Sequence, residues 1–334
     1  MDLLKPRHLV EGDTLRIVAP ASSMDALDKC AVKRGIDNLE RLGLRIEISP
    51  RASRRHGHAS GTPWERAEDL MDAFTDPNVD AIMAVWGGWN SNDVIGYLDY
   101  KVIRRNAKVF IGYSDITVLN VVLLEWAGLV SFQGPAFVTF THPHLMDWEV
   151  EEFKQMIMST TAPKEIRPAP KYIDDPSYFL HPDKPPQEVA NPGWVIYRGG
   201  TAKGRLIGGH LGTLLTLAGT PFWPDFSRKI LFIEEDEEGG PTGNIARKFR
   251  HLVQTGALDD IEAILIGRFP SVAGLKKGDS LEMILDETLE GYEFPVVSGV
   301  DIGHTNPIAT IPIGVRARLD VDAERLVFLE SGTK

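Results

Sequence analysis

A serine in the segment "IGYSD" (residues 111–115) is a candidate nucleophile. The residues before it, "KVF", continue an apolar run typical of a buried strand, and those after it have the apolar pattern of a helix. Ser114 therefore lies where a strand turns into a helix. The N–H groups at a helix start can stabilise the oxyanion that forms when a serine attacks a carbonyl. This arrangement is the one found in a nucleophile elbow.

The same spacing has a second interpretation. The elbow pattern is G-x-S-x-G, and Ile116 occupies its last position here. A serine at a helix start is more commonly an N-cap, with an acidic residue such as Asp115 favouring the first turn. The serine segment alone leaves both interpretations open.

A second loop, "VWGGWNSND" (residues 85–93), also follows an apolar strand. Gly87 and Gly88 allow the backbone to approach a ligand closely and to present its N–H groups. No G-K-[ST] follows, so the loop is not a P-loop. By itself the loop predicts only a tight turn. Together with the serine segment it predicts a divided oxyanion hole, with one N–H from Gly88 and one from Asp115.

A serine nucleophile needs a base, and the base needs an orienting acid. Among the nine histidines, His304 follows the strand-like "FPVVSGVDIG" and opens the loop "HTNPIATIPIG". Glu234 follows "KILFI", at the end of another predicted strand, whereas the acidic residues after it are typical of a solvated turn. We expect His304 to be the base and Glu234 the acid. The two His-x-His pairs lack a carboxylate at ligand spacing and predict surface loops, not a metal site.

The elements that position these residues alternate between strands and helices. In the first half, apolar strands are predicted at 14–22, 44–50, 79–88 and 108–114, and helices at 24–43, 62–77, 92–99 and 115–128. This alternation predicts a doubly wound parallel sheet covered by helices. In the second half, strands are predicted at 229–235, 261–267, 294–300, 310–319 and 325–330, with helices near 243–255 and 279–290.

The fold class predicted is α/β with two domains. Residues 1–162 form the nucleophile-bearing domain, and residues 194–334 form a smaller α/β domain with mixed strands that carries Glu234 and His304. The intervening residues 163–193 are rich in proline and lack a periodic pattern, which predicts a linker.

The composition excludes several classes of function. The formal net charge of −11 argues against a nucleic-acid or anionic-membrane binder. The single cysteine excludes an intrachain disulfide and a Cys-cluster zinc site. The sequence shows neither a signal peptide nor the roughly 20 apolar residues needed to span a bilayer. We expect a cytoplasmic protein.

Four motifs resemble those of the LD-carboxypeptidase family of serine peptidases: "IGYSD", "GRLIGGHLGTL", "ILFIEE" and "GHTNPIATIPIG". The segments "GGWNSNDVIGYLDY", "GWVIYRGG" and "FQGPAF" are more similar to its microcin C self-immunity branch. The resemblance implies a triad in the chain order Ser114, Glu234, His304, with the last two supplied by the C-terminal domain. It implies oxyanion-hole amides at Gly88 and Asp115, a homodimer, and neither a metal nor a cofactor.

The resemblance leaves two substrates open. The murein branch releases D-alanine from peptidoglycan tetrapeptides. The immunity branch cleaves the amide that joins a peptide or amino acid to a modified adenylate. Trp86 stands where the murein branch usually has arginine, and Trp89-Asn90 where it usually has Tyr-Gly. Both departures favour an aminoacyl-nucleotide substrate.

Six further residues are expected to contact substrate. Trp194 is placed to stack on a purine, although it is also suited to anchor the linker. His210 replaces the asparagine common in the family, so that substrate contact and packing remain equal alternatives. The full set is Gly87, Trp89, Ser91, Asn92, Trp194 and His210. A non-catalytic ligand-binding protein of the same fold is the alternative from another class.

Overall fold

The computed structural model describes residues 2–162, 164–174, 184–236, 242–273, 275 and 278–334. The chain divides into two compact units. Unit 1 contains Met1–Thr161, Ala309–Gly314 and Ser331–Lys334, and unit 2 contains Ala162–Ile308 and Val315–Glu330.

Unit 1 is built on a six-stranded sheet. Its strands, numbered in chain order through both units, are β1 (Thr14–Val18), β2 (Arg45–Ile48), β3 (Ala81–Ala84), β4 (Val109–Ile111), β5 (Phe132–Gln133) and β14 (Ile311–Pro312). Their order in the sheet is β14-β5-β4-β3-β1-β2. Strands β1 to β5 pair in parallel, and β14 is antiparallel to β5. This parallel core confirms the predicted α/β class.

The helices of unit 1 are α1 (Lys29–Glu40), α2 (Pro63–Thr75), α3 (Tyr100–Arg105), α4 (Thr117–Ala127), α5 (Phe137–Phe140) and α6 (Asp147–Ile157). Local sequence fixes where several of them begin and end. Thr62 and Glu65 form a capping box at the start of α2, with Pro63 as the first helical residue. Gly128, with φ of 65°, ends α4.

Three predicted helices of unit 1 differ in detail. The range 24–43 contains a 3₁₀ turn, Met24–Ala26, before α1. The range 92–99 contains two short 3₁₀ turns, Ser91–Asp93 and Ile95–Tyr97, instead of one helix. Gly96 lies within the second turn, and glycine is a poor helix former. The range 115–128 begins as a 3₁₀ turn, Ser114–Ile116, before α4. The nucleophile candidate is therefore the first residue of a tight turn.

Unit 2 is built on an eight-stranded mixed sheet, as predicted. Its order is β6-β16-β15-β10-β11-β12-β13-β9. The strands are β6 (Lys164–Ile166), β9 (Val195–Arg198), β10 (Thr201–His210), β11 (Lys229–Glu234), β12 (Ala263–Gly267), β13 (Val296–Val300), β15 (Arg316–Asp320) and β16 (Arg325–Phe328). Strands β10 to β13 run parallel, and the outer strands are antiparallel to their neighbours.

The remaining elements in the described residues of unit 2 are a small antiparallel sheet of β7 (Lys171–Ile173) and β8 (Glu188–Ala190), and three helices. The helices are α7 (Leu211–Leu215), α8 (Thr242–Gln254) and α9 (Leu281–Thr288). Within the described ranges, no helix is both long and apolar enough to cross a bilayer.

Two ranges differ from the sequence prediction. The strand predicted at 310–319 is two strands, because Gly314, with φ of 90°, breaks the extended chain between β14 and β15. The range 163–193, predicted as a linker, contains β6, β7 and β8. Strand β6 pairs with β16, about 160 residues further along the chain, and local periodicity cannot reveal such a partner. Residues 175–183 of that range lie outside the described residues.

Candidate active site

Ser114 adopts a backbone conformation that serine rarely takes. Its φ is 63°, and it is one of three non-glycine residues with positive φ in the described part of the chain. Tyr113 before it is extended and occupies the N-cap position of the turn, so Ser114 is not the cap. A left-handed serine costs about 1 kcal/mol or more, and such strain is concentrated at functional sites. The geometry favours the nucleophile elbow over the N-cap interpretation.

The Gly87-Gly88 loop packs directly against the serine. Strands β3 and β4 are neighbours, so the loops that follow them meet at one edge of the sheet. A Cβ added to Gly87 would lie 2.8 Å from Ser114 Oγ and 3.0 Å from the Asp115 nitrogen. Gly88 has φ of 153°, and a Cβ there would lie 2.6 Å from Ser22 Oγ. Only glycine fits at these two positions. The backbone of the glycine loop thus lies close to Ser114 in unit 1.

Asp115 locks the two loops together through its side chain. Its Oδ2 accepts hydrogen bonds from the backbone nitrogens of Asn90, at 2.9 Å, and Ser91, at 2.8 Å. The Ser91 hydroxyl donates in return to the Asp115 carbonyl oxygen. The Asp115 side chain thus determines where the residues after Gly88 lie. Sequence reasoning had considered only its backbone N–H and its charge.

Arg66 holds the same loop from the other side. It is 3% exposed, and its Nη1 donates to the carbonyl oxygens of Pro20, at 2.7 Å, and Asn90, at 2.8 Å. Its Nη2 lies 3.3 Å from Asp93 Oδ2. Burial lowers the pKa of Arg66, and the Asp93 and Asp115 carboxylates oppose that effect. Sequence reasoning missed Arg66, although an arginine on the apolar face of α2 is a detectable signal.

The predicted substrate contacts of unit 1 have different environments. The indole of Trp89 is 66% exposed, and Asn92 is half-buried. Ser91 is fully buried and its hydroxyl bonds to Asp115. Ser91 therefore supports the loop, which differs from the predicted contact with substrate.

In unit 2, Glu234 and His304 form a short hydrogen bond. His304 Nδ1 lies 2.6 Å from Glu234 Oε2, and Glu234 is fully buried at the end of β11. A Cβ at Gly303 would lie 3.1 Å from the same carboxylate oxygen, so the loop backbone fits closely around the acid. A carboxylate at Nδ1 holds the proton there and leaves Nε2 as the basic nitrogen. This is the pairing that a general base requires.

The charges around His304 favour its protonated form. Burial lowers the pKa of His304, but the Glu234 carboxylate outweighs burial and raises it above the ordinary value. Asp236 raises the pKa further, whereas His210 opposes protonation. The imidazolium form of His304 is therefore stabilised within unit 2.

His210 lies beside this pair. It ends β10 in register with Glu234, and its ring centroid is 5.7 Å from that of His304. Its Nδ1 accepts from the Thr213 nitrogen at 3.1 Å and thereby caps α7. Its Nε2 lies 3.4 Å from Glu235 Oε2 and 3.5 Å from Asp236 Oδ2.

The His210, Glu235 and Asp236 cluster is the group in the described residues whose ligand atoms are close enough to hold a metal ion. Burial lowers the pKa of His210, but hydrogen bonds with Asp236 and Glu235 outweigh it and raise the pKa to about 10. In neutral His210 the Nδ1 atom accepts from the Thr213 nitrogen and the proton lies on Nε2. In the imidazolium both nitrogens carry protons, so Nε2–H still faces the carboxylates and Nδ1–H donates to Thr213 Oγ1 at 2.9 Å. Lys248 Nζ also contacts Glu235, at 2.7 Å. The donor set therefore fits an internal hydrogen-bond network and not a metal ion.

Trp194 is buried, with 6% of its surface exposed. Its backbone nitrogen donates to Glu324 Oε2 at 2.9 Å. A buried indole has no open face for a purine. The structure thus favours the anchoring interpretation of Trp194 over the stacking one.

These parts define a class of protein. Unit 1 is an α/β unit with an elbow serine beside a glycine loop, and unit 2 is an α/β unit with a buried carboxylate–imidazole pair. Two family models match the same two regions: the LD-carboxypeptidase N-terminal domain at residues 15–134, and the LD-carboxypeptidase C-terminal domain at residues 203–319. The chain belongs to the LD-carboxypeptidase family.

Relatives and solved structures agree with this membership. YocD of Bacillus subtilis, which is named as a carboxypeptidase, is 37% identical to this chain, and the match covers 93% of this chain and 94% of YocD. The microcin C7 self-immunity protein MccF of Escherichia coli is 31% identical to this chain, and the match covers 96% of this chain and 94% of MccF. A protein of Bacillus subtilis named as a probable murein peptide carboxypeptidase is 32% identical to this chain. The match covers 98% of this chain and 95% of that protein. The structure of MccF in complex with aspartyl sulfamoyl adenosine has a TM-score of 0.92 and 29% identity, and the match covers 99% of this chain and 100% of that one.

Proposed function

We propose that the protein is a serine-dependent amide hydrolase in which Ser114 is the nucleophile, His304 the base and Glu234 the orienting acid. The observation that carries the proposal is the 2.6 Å hydrogen bond between His304 and the buried Glu234. Such a bond fixes the imidazole tautomer that can accept a proton from serine. The strained conformation of Ser114 supports its role as the partner nucleophile.

The mechanism is acyl transfer. Ser114 Oγ attacks the carbonyl carbon of the substrate amide while His304 Nε2 takes the hydroxyl proton. Glu234 stabilises the resulting imidazolium. The N–H groups of Gly88 and Asp115 donate to the oxyanion, a contribution of about 3 kcal/mol per donor in comparable sites. His304 then protonates the leaving amine, and water hydrolyses the acyl-enzyme by the same steps.

The substrate that we propose is a peptidyl- or aminoacyl-adenylate, or a stable analogue of one. This choice is supported by the similarity to MccF and by the aspartyl sulfamoyl adenosine bound in the MccF structure. The exposed indole of Trp89, next to Gly88, offers an apolar surface for such a ligand. His210 and the two acidic residues that follow Glu234 place a polar, charged cluster beside the base.

A murein tetrapeptide is the second candidate substrate. The similarity to a protein named as a probable murein peptide carboxypeptidase favours it. Trp86 and Trp89, at positions where that branch usually has arginine and tyrosine, weigh against it. In both cases the reaction is hydrolysis of an amide by the same three side chains.

The test is to incubate the protein with aspartyl sulfamoyl adenosine and, separately, with an L,D-linked tetrapeptide. Mass spectrometry then detects released aspartate or released D-alanine. We expect release of aspartate, and its loss in Ser114→Ala. The control Ser53→Ala changes an exposed serine of a loop and retains activity. Cleavage of the tetrapeptide alone would overturn the adenylate substrate, and full activity of Ser114→Ala would overturn the nucleophile.

Two further properties are part of the proposal. The protein acts as a homodimer, as the resemblance to the family implies, and size-exclusion chromatography with light scattering measures this directly. It acts in the cytoplasm, where aminoacyl-adenylates form. Fractionation of cells that produce the protein tests that location.

A further inference from the structure

A buried aspartate lies three residues before His304. Asp301 is 1% exposed and follows β13 in unit 2. Its Oδ2 accepts from the backbone nitrogen of Ala169 at 2.9 Å. The side-chain Nδ2 of Asn191 lies 3.2 Å from Oδ1 and 3.1 Å from Oδ2. A buried carboxylate with three such contacts is a costly feature that the mechanism above does not use.

Arg268 completes this arrangement. Its Nη2 donates to Asn191 Oδ1 at 2.8 Å and to the Gly299 carbonyl at 2.9 Å, and lies 3.4 Å from Asp301 Oδ1. Its guanidinium carbon lies 4.2 Å from the centroid of the Tyr172 ring. The Asp301 carboxylate thus joins the end of β12 and the strand β13 to Ala169 and Asn191 in the segment predicted as a linker.

The same segment also holds the chain on the other side of His304. The Ile173 nitrogen donates to the Asn306 carbonyl at 2.7 Å, and the Asn306 nitrogen donates to the Ile173 carbonyl at 3.2 Å. His304 therefore lies between two attachment points, Asp301 and Asn306. Both attach to the stretch that the sequence predicted to be a linker.

We propose that Asp301 is a positioning residue that holds the His304 loop so that the imidazole meets Glu234. This inference rests on the proposed function for its consequence in catalysis. Asp301 touches neither His304 nor Glu234 in the contacts above and acts through Ile302 and Gly303, the two residues that separate it from His304.

The chemistry explains why the position carries a carboxylate. Two acceptor oxygens face the donors of Ala169, Asn191 and Arg268 at once. An asparagine would turn one NH₂ group toward donors that are already there. Burial raises the pKa of Asp301, whereas the Ala169 N–H and Arg268 counteract that effect. Burial is the larger effect, so the pKa of Asp301 stays above its ordinary value.

The experiment compares Asp301→Asn with Asn191→Ala and the control Asp320→Asn. The control breaks a carboxylate–arginine contact with Arg325 in the hairpin of β15 and β16, in the same unit. Histidine signals are titrated by NMR, and His304→Gln identifies the His304 signal. The pH dependence of kcat/KM is measured on aspartyl sulfamoyl adenosine.

We expect both site variants to lower the pKa of His304, because a displaced imidazole loses part of the attraction of Glu234. The other charged groups that face His304, His210 and Asp236, are unchanged. The acid limb of kcat/KM moves to lower pH, and kcat falls by about tenfold to a hundredfold with little change in KM. Asp320→Asn keeps the wild-type pKa and stays within about twofold of wild-type activity.

Asn191→Ala leaves the Asp301 side chain unchanged and therefore separates the position of the loop from a chemical change at residue 301. A lowered His304 pKa in both variants supports the proposal. If Asp301→Asn folds poorly, a lowered His304 pKa in Asn191→Ala supports it. A wild-type pKa in Asn191→Ala overturns it, whatever Asp301→Asn shows. Absence of Ser114-dependent hydrolysis in the wild type would refute the proposed function alone, since the NMR titration reports on positioning without turnover.

Discussion

Replacing Glu234 with glutamine tests the electrostatics of the base most sharply. The substitution keeps the size of the side chain and removes its charge from a fully buried position. The amide NH₂ of the glutamine can donate to His304 Nδ1, which moves the imidazole proton to Nε2. An imidazole with its proton on Nε2 cannot accept the proton of serine.

The structure sets the size of this effect. The Nδ1 and Oε2 atoms are 2.6 Å apart, so the two charge centres lie at a separation of about 4 Å. At an effective dielectric constant near 20, such a pair contributes about 4 kcal/mol to the stability of the imidazolium. Loss of that contribution alone slows the reaction by roughly three orders of magnitude. The wrong tautomer raises the expected loss in kcat to about 10⁴-fold near neutral pH.

The assay is the pH profile of kcat/KM with aspartyl sulfamoyl adenosine for the wild type and Glu234→Gln. Since Glu234 raises the pKa of His304, its loss lowers that pKa, and the acid limb moves to lower pH. The matched control is Glu330→Gln in unit 2. It removes a half-buried carboxylate that accepts a hydrogen bond from the Arg316 backbone nitrogen. Activity of Glu234→Gln within tenfold of the wild type, with an unmoved acid limb, would refute the reasoning.

Three further predictions concern the supporting residues. Ser114→Gly should be about 1 kcal/mol more stable than Ser114→Ala in urea unfolding, because glycine relieves the positive φ; equal stabilities would contradict strain at the elbow. Asp115→Asn should lower the free energy of unfolding by about 1–3 kcal/mol, since two charge-assisted hydrogen bonds become neutral ones; an unchanged urea midpoint would argue against the loop lock. His210→Ala should lower the free energy of unfolding by about 1–2 kcal/mol, because the ring loses its contacts with Thr213, Glu235 and Asp236; thermal unfolding that matches the wild type would exclude a structural role for His210.

The parts of the fold that sequence predicted well are those with a local cause. The apolar strands β1, β3, β4, β11 and β12 are marked by continuous runs, and the start of α2 by Thr62 and Pro63. The loops after β3 and β4 could be placed together because carboxyl ends of neighbouring parallel strands share an edge. That reasoning placed the glycine loop beside Ser114 correctly.

The parts that sequence could not predict depend on distant partners. Strand β6 was assigned to a linker because its partner, β16, is far along the chain. Arg66 and Asp301 form hydrogen bonds with Asn90 and Ala169, which lie 24 and 132 residues away, and such contacts leave no local pattern in the sequence. Ser91 illustrates the same limit, since its type suits a substrate contact and only the structure shows its bond to Asp115.

The most direct test of the central claim is labelling of the intact protein with a serine-reactive fluorophosphonate, followed by peptide mass mapping. The wild type should be labelled at Ser114 alone, and His304→Gln should be labelled at least a hundredfold more slowly, since general-base assistance contributes about 10²–10⁴-fold. Labelling at another residue, or an equal rate in His304→Gln, would contradict the account.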